Sequence, residues 1–252
     1  MANGLASHKL NLLRRDRHDP RKTFLYFNDF FNMSLDDTTA HPTDWEVVED
    51  AAAVYGISDK RGGWLRLECD GDDSDEVYLA SRGQAFIFNT TDELFYETEV
   101  ENTAVTATGD QGFICGLSAT VAAHSILDSG LIMASFDGAC FILEENADVA
   151  FVTSNAGTQV RTAVAYDWQG TAAASDLVRR GFFYDPNDGV TAKVSPVVNG
   201  VEGTAHDLTI SGLEEMNILF GVKNHVGSAQ IAEWDWVEVL QRRNAATDIN
   251  NL

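Results

Sequence analysis

Apolar and polar residues alternate in short runs along most of this 252-residue chain, and clusters of Gly, Asp and Asn separate the runs. Trp64-Leu65-Arg66-Leu67-Glu68-Cys69 has a two-residue period that puts Leu65, Leu67 and Cys69 on one face, the mark of a strand with one buried side. Phe24 to Phe31, dense in aromatics, opens the series. Further strands are predicted at Val77 to Ala80, Ala85 to Asn89, Leu94 to Glu101, Gly112 to Leu117, Leu131 to Phe136, Cys140 to Leu143 and Val149 to Thr153. The pattern continues at Thr162 to Tyr166, Gly181 to Tyr184, Ala192 to Val198, His206 to Ile210 and Asn217 to Val222, and ends in the long amphipathic run Ala229 to Leu240. About a dozen strands roughly ten residues apart, punctuated by Asp-Gly, Asn-Asp-Gly and Asn-Gly turns, predict an all-β fold, an antiparallel sandwich or jelly roll. Helix signals are few: Leu5 to Arg17, closed by Pro20, and one or two turns at Thr120 to Leu127. No internal repeat points to a propeller or solenoid.

Charge divides the chain more sharply than hydropathy does. Residues 1 to 22 carry six Lys/Arg against two Asp, net +4, whereas residues 23 to 252 carry eleven against thirty-seven, net −26. The organisation expected is a basic N-terminal arm (1–22), one sandwich domain (23–241) and a C-terminal tail (242–252). An acidic body repels nucleic acid and anionic lipid, so neither is an expected partner. The first thirty residues lack the apolar run of a signal peptide, and no stretch reaches the ~20 apolar residues needed to span a bilayer. A protein made in a cytoplasm, soluble or joined to a soluble particle, is the expectation. Cys69, Cys115 and Cys140 form no CxxC pair, leave one over and sit in or beside apolar strands, which reads as buried free thiols.

Candidate chemistry is sparse. In Phe95-Tyr96-Glu97-Thr98-Glu99-Val100-Glu101 the strand period sets Glu97, Glu99 and Glu101 on one face, where carboxylates could flank a glycosidic bond. This strand resembles the three-carboxylate strand of laminarinase-like β-glucanases, with Glu99 where that family has Asp. The alternative for the same strand is an acidic, solvated outer face. Asp70-Gly71-Asp72-Asp73-Ser74-Asp75-Glu76 offers clustered carboxylates to a hard cation such as calcium, without the EF-hand order, or is simply an acidic turn. His8, His18, His41, His124, His206 and His225 show no metal-ligand spacing, and Ser125 beside His124 lacks the Gly-x-Ser-x-Gly turn. No P-loop or dinucleotide fingerprint is present, so no cofactor is expected. Among Trp45, Trp64, Trp168, Trp234 and Trp236, the alternation places Trp234 and Trp236 on one strand face, as core or as a sugar-stacking pair. In the arm, Arg14, Arg15, Arg17, Arg21 and Lys22 suit charge-assisted bonds to acidic groups of a neighbouring subunit, and Leu10, Leu12 and Leu13 suit its grooves.

Four segments carry a wider likeness: Phe27-Asn28-Asp29-Phe30-Phe31, Asp44-Trp45, Gly62-Gly63-Trp64-Leu65-Arg66-Leu67 and Glu233-Trp234-Asp235-Trp236-Val237-Glu238-Val239. Over residues 24 to 241 the body resembles the concanavalin/laminin-G-like jelly rolls found in structural proteins of tailed bacteriophages. The resemblance implies that the first and last strands lie side by side. It also implies a non-catalytic virion component, a capsid decoration or minor virion protein assembled in the host cytoplasm, with the major capsid protein or other virion subunits as partners and self-association into a homo-oligomer. The rival reading is a carbohydrate-active jelly roll, either a glycan-binding module or a hydrolase using Glu97, Glu99 and Glu101.

Overall fold

Alternating strands with one apolar side must bury that side against another sheet. In the computed structural model, which describes residues 19–30, 45–49, 53–72, 74–83, 85–102, 111–122, 136–143, 149–164, 177–187, 191–224 and 230–243, every regular element is a strand. They run β1 (Thr23–Asn28), β2 (Trp45–Glu49), β3 (Val54–Ser58), β4 (Trp64–Cys69), β5 (Glu76–Ser81), β6 (Leu94–Asn102), β7 (Gln111–Ser118) and β8 (Gly138–Leu143). Then come β9 (Val149–Asn155), β10 (Thr158–Ala163), β11 (Val178–Asp185), β12 (Thr191–Val198), β13 (Val201–Glu202), β14 (His206–Thr209), β15 (Asn217–Asn224) and β16 (Gln230–Arg242). The larger sheet has nine strands in the order β13-β12-β11-β6-β16-β4-β3, with β1 beside β16 and β14 beside β12. The smaller has seven, β10-β9-β8-β7-β15-β5-β2. All pairings are antiparallel, and β1 lies against β16, so the first and last strands are indeed neighbours.

The core fills the space between the sheets. From the larger sheet Leu94, Tyr96, Val100, Phe182, Tyr184, Trp234, Val237 and Val239 point inward, and Phe113, Cys115, Phe141, Phe151 and Phe220 meet them from the smaller one. Full burial of one such aromatic or aliphatic side chain stabilises by about 1.5–3 kcal/mol, which makes this layer the main source of stability. The smaller sheet is buried on its other face too, where Tyr78, Ile114, Phe136, Cys140, Ile142, Val152 and Leu219 form a second cluster. Burial on both faces is why β5 and β8 read as unbroken apolar runs. The three cysteines are buried and unbridged, as expected.

Three local expectations need correction. Ala85 to Asn89 is not a strand: it carries β5 of one sheet across to β6 of the other and forms only the bridge Phe86–Met216, while Phe86 and Phe88 drop into the core. The alternation there reports burial, not pairing. The strand expected at Thr162 to Tyr166 begins earlier, at Thr158, because Ala156 (φ 49°) and Gly157 (φ 78°) form a two-residue hairpin turn with both centres left-handed, and pairing starts at once on either side. Trp234 and Trp236 do not share a face. Trp234 pairs with Val100 and Val237 with Thr98, so three residues of β16 span two of β6, and the extra residue of this bulge turns Trp236 outward. The turn expected at Thr120 to Leu127 and the strand at Leu131 to Phe136 lie largely outside the described residues.

Polar ties cross between the sheets where β14 meets β9, one of them from Asn155 Nδ2 to the Thr209 carbonyl. His206 of β14 meets Thr153 Oγ1 of β9 at 3.1 Å through Nδ1 and Thr162 Oγ1 of β10 at 2.9 Å through Nε2, and its ring packs on Phe151. Burial holds its pKa below the ordinary 6.5, so the folded protein keeps the ring neutral. Its contribution to stability is therefore complete above about 6.5 and is lost as pH falls through that value towards the depressed folded one. The drop in urea midpoint between pH 7.5 and pH 5.5 is expected to be smaller in His206→Gln than in the wild type; an equal drop would show that His206 does not carry this pH dependence.

Candidate functional site

The outer face of the larger sheet is where the sequence places its carboxylates. Because Leu94, Tyr96, Thr98 and Val100 of β6 are buried inward, Phe95, Glu97, Glu99 and Glu101 project outward, so the three glutamates do share a face. Cross-strand partners extend the row. Glu97 stands between Gly181 of β11 and Glu238 of β16, Glu99 lies opposite Arg179, and Glu101 lies opposite Glu233. Gly181 is required beside Glu97, since a Cβ there would sit 2.4 Å from the Tyr96 carbonyl oxygen and 3.1 Å from Glu97 Cβ. The face is not simply solvated: Glu97 is buried, and at its end Phe95, Phe183 and Leu240 form a small buried cluster of their own.

The bulge builds the middle of the face. The Thr98 hydroxyl donates to the Trp236 carbonyl at 2.5 Å, which fixes the bulged backbone, and the outward indole donates from Nε1 to Glu99 Oε2 at 3.3 Å. Trp236 also stacks on Phe27 of β1, with centroids 6.4 Å apart and planes at 25°, and Phe27 is 57% exposed. Asp235, the other bulged residue, lies 3.6 Å from where a Cβ on Gly62 (φ 106°) would stand. Burial, then the nearby charges of Glu99 and Asp29, hold its carboxyl above the usual range. An exposed Phe27 and a half-buried Trp236 thus border a row of carboxylates. That pairing of an apolar plate with hydrogen-bond acceptors suits a polyhydroxylated ring.

One cation organises the far end. Lys60 Nζ lies 2.7 Å from Glu101 Oε2 and 2.6 Å from Glu233 Oε2, and 4.6 Å above the Trp64 ring. Burial alone would lower this ammonium, but hydrogen bonds from it to both glutamates, with their charges, raise it overall. Glu101 is consequently engaged as an acceptor. A glycosidase acid must instead hold a proton and deliver it to the leaving oxygen.

Sequence reasoning anticipated the glutamate row and missed Lys60, Phe27 and the outward turn of Trp236. Trp45 and Trp234 are core residues, in aromatic contact with Phe220, and Trp168 lies outside the described residues. Asp70, Asp72 and Asp75 bring carboxylate oxygens within 4.8 Å of one another. The turn is already tied by Asn224, which donates from Nδ2 to the Asp70 and Asp72 carbonyls, and a hydrogen bond from Asp75, then one from the Asp72 N–H, hold Asp70 below the usual carboxylate range. Its shape is therefore explained without an ion. Of the arm, Leu10, Leu12, Leu13, Arg14, Arg15 and Arg17 lie outside the described residues. Arg21 and Lys22 form a turn on Asp19, and this turn is pinned to the end of β16, where the Arg243 N–H donates to the Lys22 carbonyl at 2.7 Å and its guanidinium to the Pro20 carbonyl at 3.2 Å. His206 makes the inter-sheet tie above; the other five histidines lie outside the described residues.

Removing the cation tests this account of the face. Lys60→Met leaves Glu101 and the buried Glu233 side by side and is expected to cost about 2 kcal/mol, between the ranges for exposed and buried pairs because Lys60 is one-third exposed. Since its pKa is raised, the contribution of Lys60 is complete at neutral pH and is lost only as pH rises beyond the ordinary lysine value of 10.5. Urea unfolding of both proteins at pH 7 measures the difference, and equal midpoints would show the cluster to be energetically idle.

No family model matches the chain, and no curated protein does. Solved structures do share its fold. The carbohydrate recognition domain of Emp47p is 14% identical with a TM-score of 0.57, covering 88% of this chain and 97% of that one. An endo-β-1,4-glucuronan lyase from Trichoderma reesei is 11% identical with a TM-score of 0.59, covering 85% and 94%. A β-1,3-1,4-glucanase from a mouse hindgut metagenome is 15% identical with a TM-score of 0.53, covering 85% and 98%. At these identities the likeness is one of fold: the chain is a concanavalin-like jelly-roll sandwich.

Proposed function

We propose that this chain is a non-catalytic carbohydrate-binding jelly roll that takes a glycan across the outer face of its nine-stranded sheet. The observation that carries the reading is the stacked pair of exposed Phe27 and half-buried Trp236 beside the carboxylates of β6. A pyranose ring can lay its C–H face on the aromatic plate and donate its hydroxyls to Glu99 and its neighbours. The engagement of Glu101 by Lys60 favours binding over hydrolysis. The fold likeness to a carbohydrate recognition domain and to glucan-active enzymes supports a saccharide as the ligand.

A second reading, the virion component, is favoured by a different observation. The turn of residues 19–22 leads directly into β1, whose Leu25 and Phe27 are exposed, so the end of the basic arm adjoins an apolar strand at one edge of the body. An arm and an adjoining apolar strand are the parts a subunit clamp uses.

Tryptophan fluorescence titration against a panel of soluble β-glucans and other oligosaccharides tests the first reading. Saturable binding is expected for the wild type, weakened about tenfold, or roughly 1.4 kcal/mol, in Trp236→Ala. Cleavage of a glucan that is abolished in Glu97→Gln and Glu101→Gln would replace it with the hydrolase. Flat titrations throughout would remove it. For the second reading, full-length protein is expected to co-sediment with purified capsids and the form lacking residues 1 to 22 to stay in solution; equal behaviour of the two forms excludes the clamp.

A further inference from the structure

Arg180 occupies a place that arginine seldom holds. The period of β11 turns it inward with Val178, Phe182 and Tyr184, and its side chain is completely buried between the two sheets. Its guanidinium carbon lies 5.4 Å from the centroid of the Phe113 ring and 6.0 Å from that of Phe141. Among the described residues none of its three nitrogens has an acceptor. Two more donors converge on the same part of the core: Trp234 Nε1 and Tyr96 Oη are buried and without a hydrogen-bond partner, and both, like Arg180, approach Cys115. The sulfur is a weak acceptor, and neither contact reaches hydrogen-bonding geometry.

The charges do not balance within the chain. Burial lowers the guanidinium only to about 10, so it is a cation at neutral pH. Burial pushes the Cys115 thiol up to about 12 although Arg180 pulls the other way, so the sulfur stays protonated and neutral. Among the described residues no carboxylate forms an ion pair with Arg180. An uncompensated cation in a low-dielectric interior is among the least favourable arrangements a core can contain, and paired or ligand-bound charge is the general remedy. We propose that the core between the sheets binds a small monovalent anion of halide size, held by the Arg180 guanidinium with the Trp234 N–H and the Tyr96 O–H completing its shell. The aromatic walls and the single positive charge select this class. A halide accepts from all three side chains at one atom, whereas a carboxylate would divide them between two oxygens and phosphate would bring charge in excess of the single guanidinium. An ordered water would accept from the donors but leave the cation uncompensated.

Thermal unfolding of the full chain at constant ionic strength, with gluconate progressively replaced by chloride or bromide, decides the matter. The midpoint is expected to rise saturably by about 5 °C in either halide. Arg180→Met, which replaces the cation by an apolar chain of similar length, is expected to melt at the same temperature in all three salts. Should that variant not fold, wild-type crystals grown in bromide supply the second measurement, with an anomalous peak expected within hydrogen-bonding reach of Arg180 and Trp234 Nε1. Equal wild-type midpoints in gluconate and halide, or bromide crystals without that peak, would overturn the proposal and leave water as the occupant.

Discussion

The register of β16 is the constraint on which the molecule depends. This strand pairs along one edge with β6, and along the other with β4 over its first half and β1 over its second. Without the extra residue, a strict two-residue period running from Ala232 and Trp234 would send Trp236 and Glu238 into the core and Val237 and Val239 out of it. The bulge resets the parity, so both halves bury their apolar members and the polar ones share the opposite face. Core and outer face are thus consequences of one inserted residue.

Most of the fold was legible because it rests on local alternation. The parity of Glu97, Glu99 and Glu101 needed only the strand period, and the Asn199-Gly200 turn only its own two residues, both left-handed in the structure. What escaped was set by partners distant in sequence. In Trp234 to Val239 the adjacent Trp236 and Val237 interrupt the alternation, but only pairing with Thr98 and Val100, more than 130 positions earlier, shows that the interruption is a bulge. Lys60 sits in a turn with nothing nearby to connect it to Glu101 and Glu233. The strand predicted at Gly181 to Tyr184 stopped short of Arg180, whose inward position follows from where β11 pairs with β6.

The face and the core pose the same electrostatic problem and solve it differently. Outside, in a chain with a net charge of −22, a single ammonium gathers two carboxylates and leaves the Trp236 indole free to order a third. Inside, donors gather without acceptors around one guanidinium. Solved structures of a recognition domain, a lyase and a glucanase all carry this sandwich, so the chemistry is written in such local arrangements of charge rather than in the scaffold.

The side-by-side placement of β1 and β16 also governs the order of events during synthesis. The strand at the centre of the larger sheet is the last of the sixteen to leave the ribosome, and β1, made first, has no partner among the described strands until then. Of the pairings in that sheet, only the local hairpins β3–β4 and those joining β11, β12, β13 and β14, together with β6–β11, can form earlier. The nascent chain therefore carries its exposed strand edges, including the aromatic run of β1, until β16 has been made. Closure of the sandwich therefore waits for β16 and is dominated by non-local contacts, with the slow kinetics that such topology imposes.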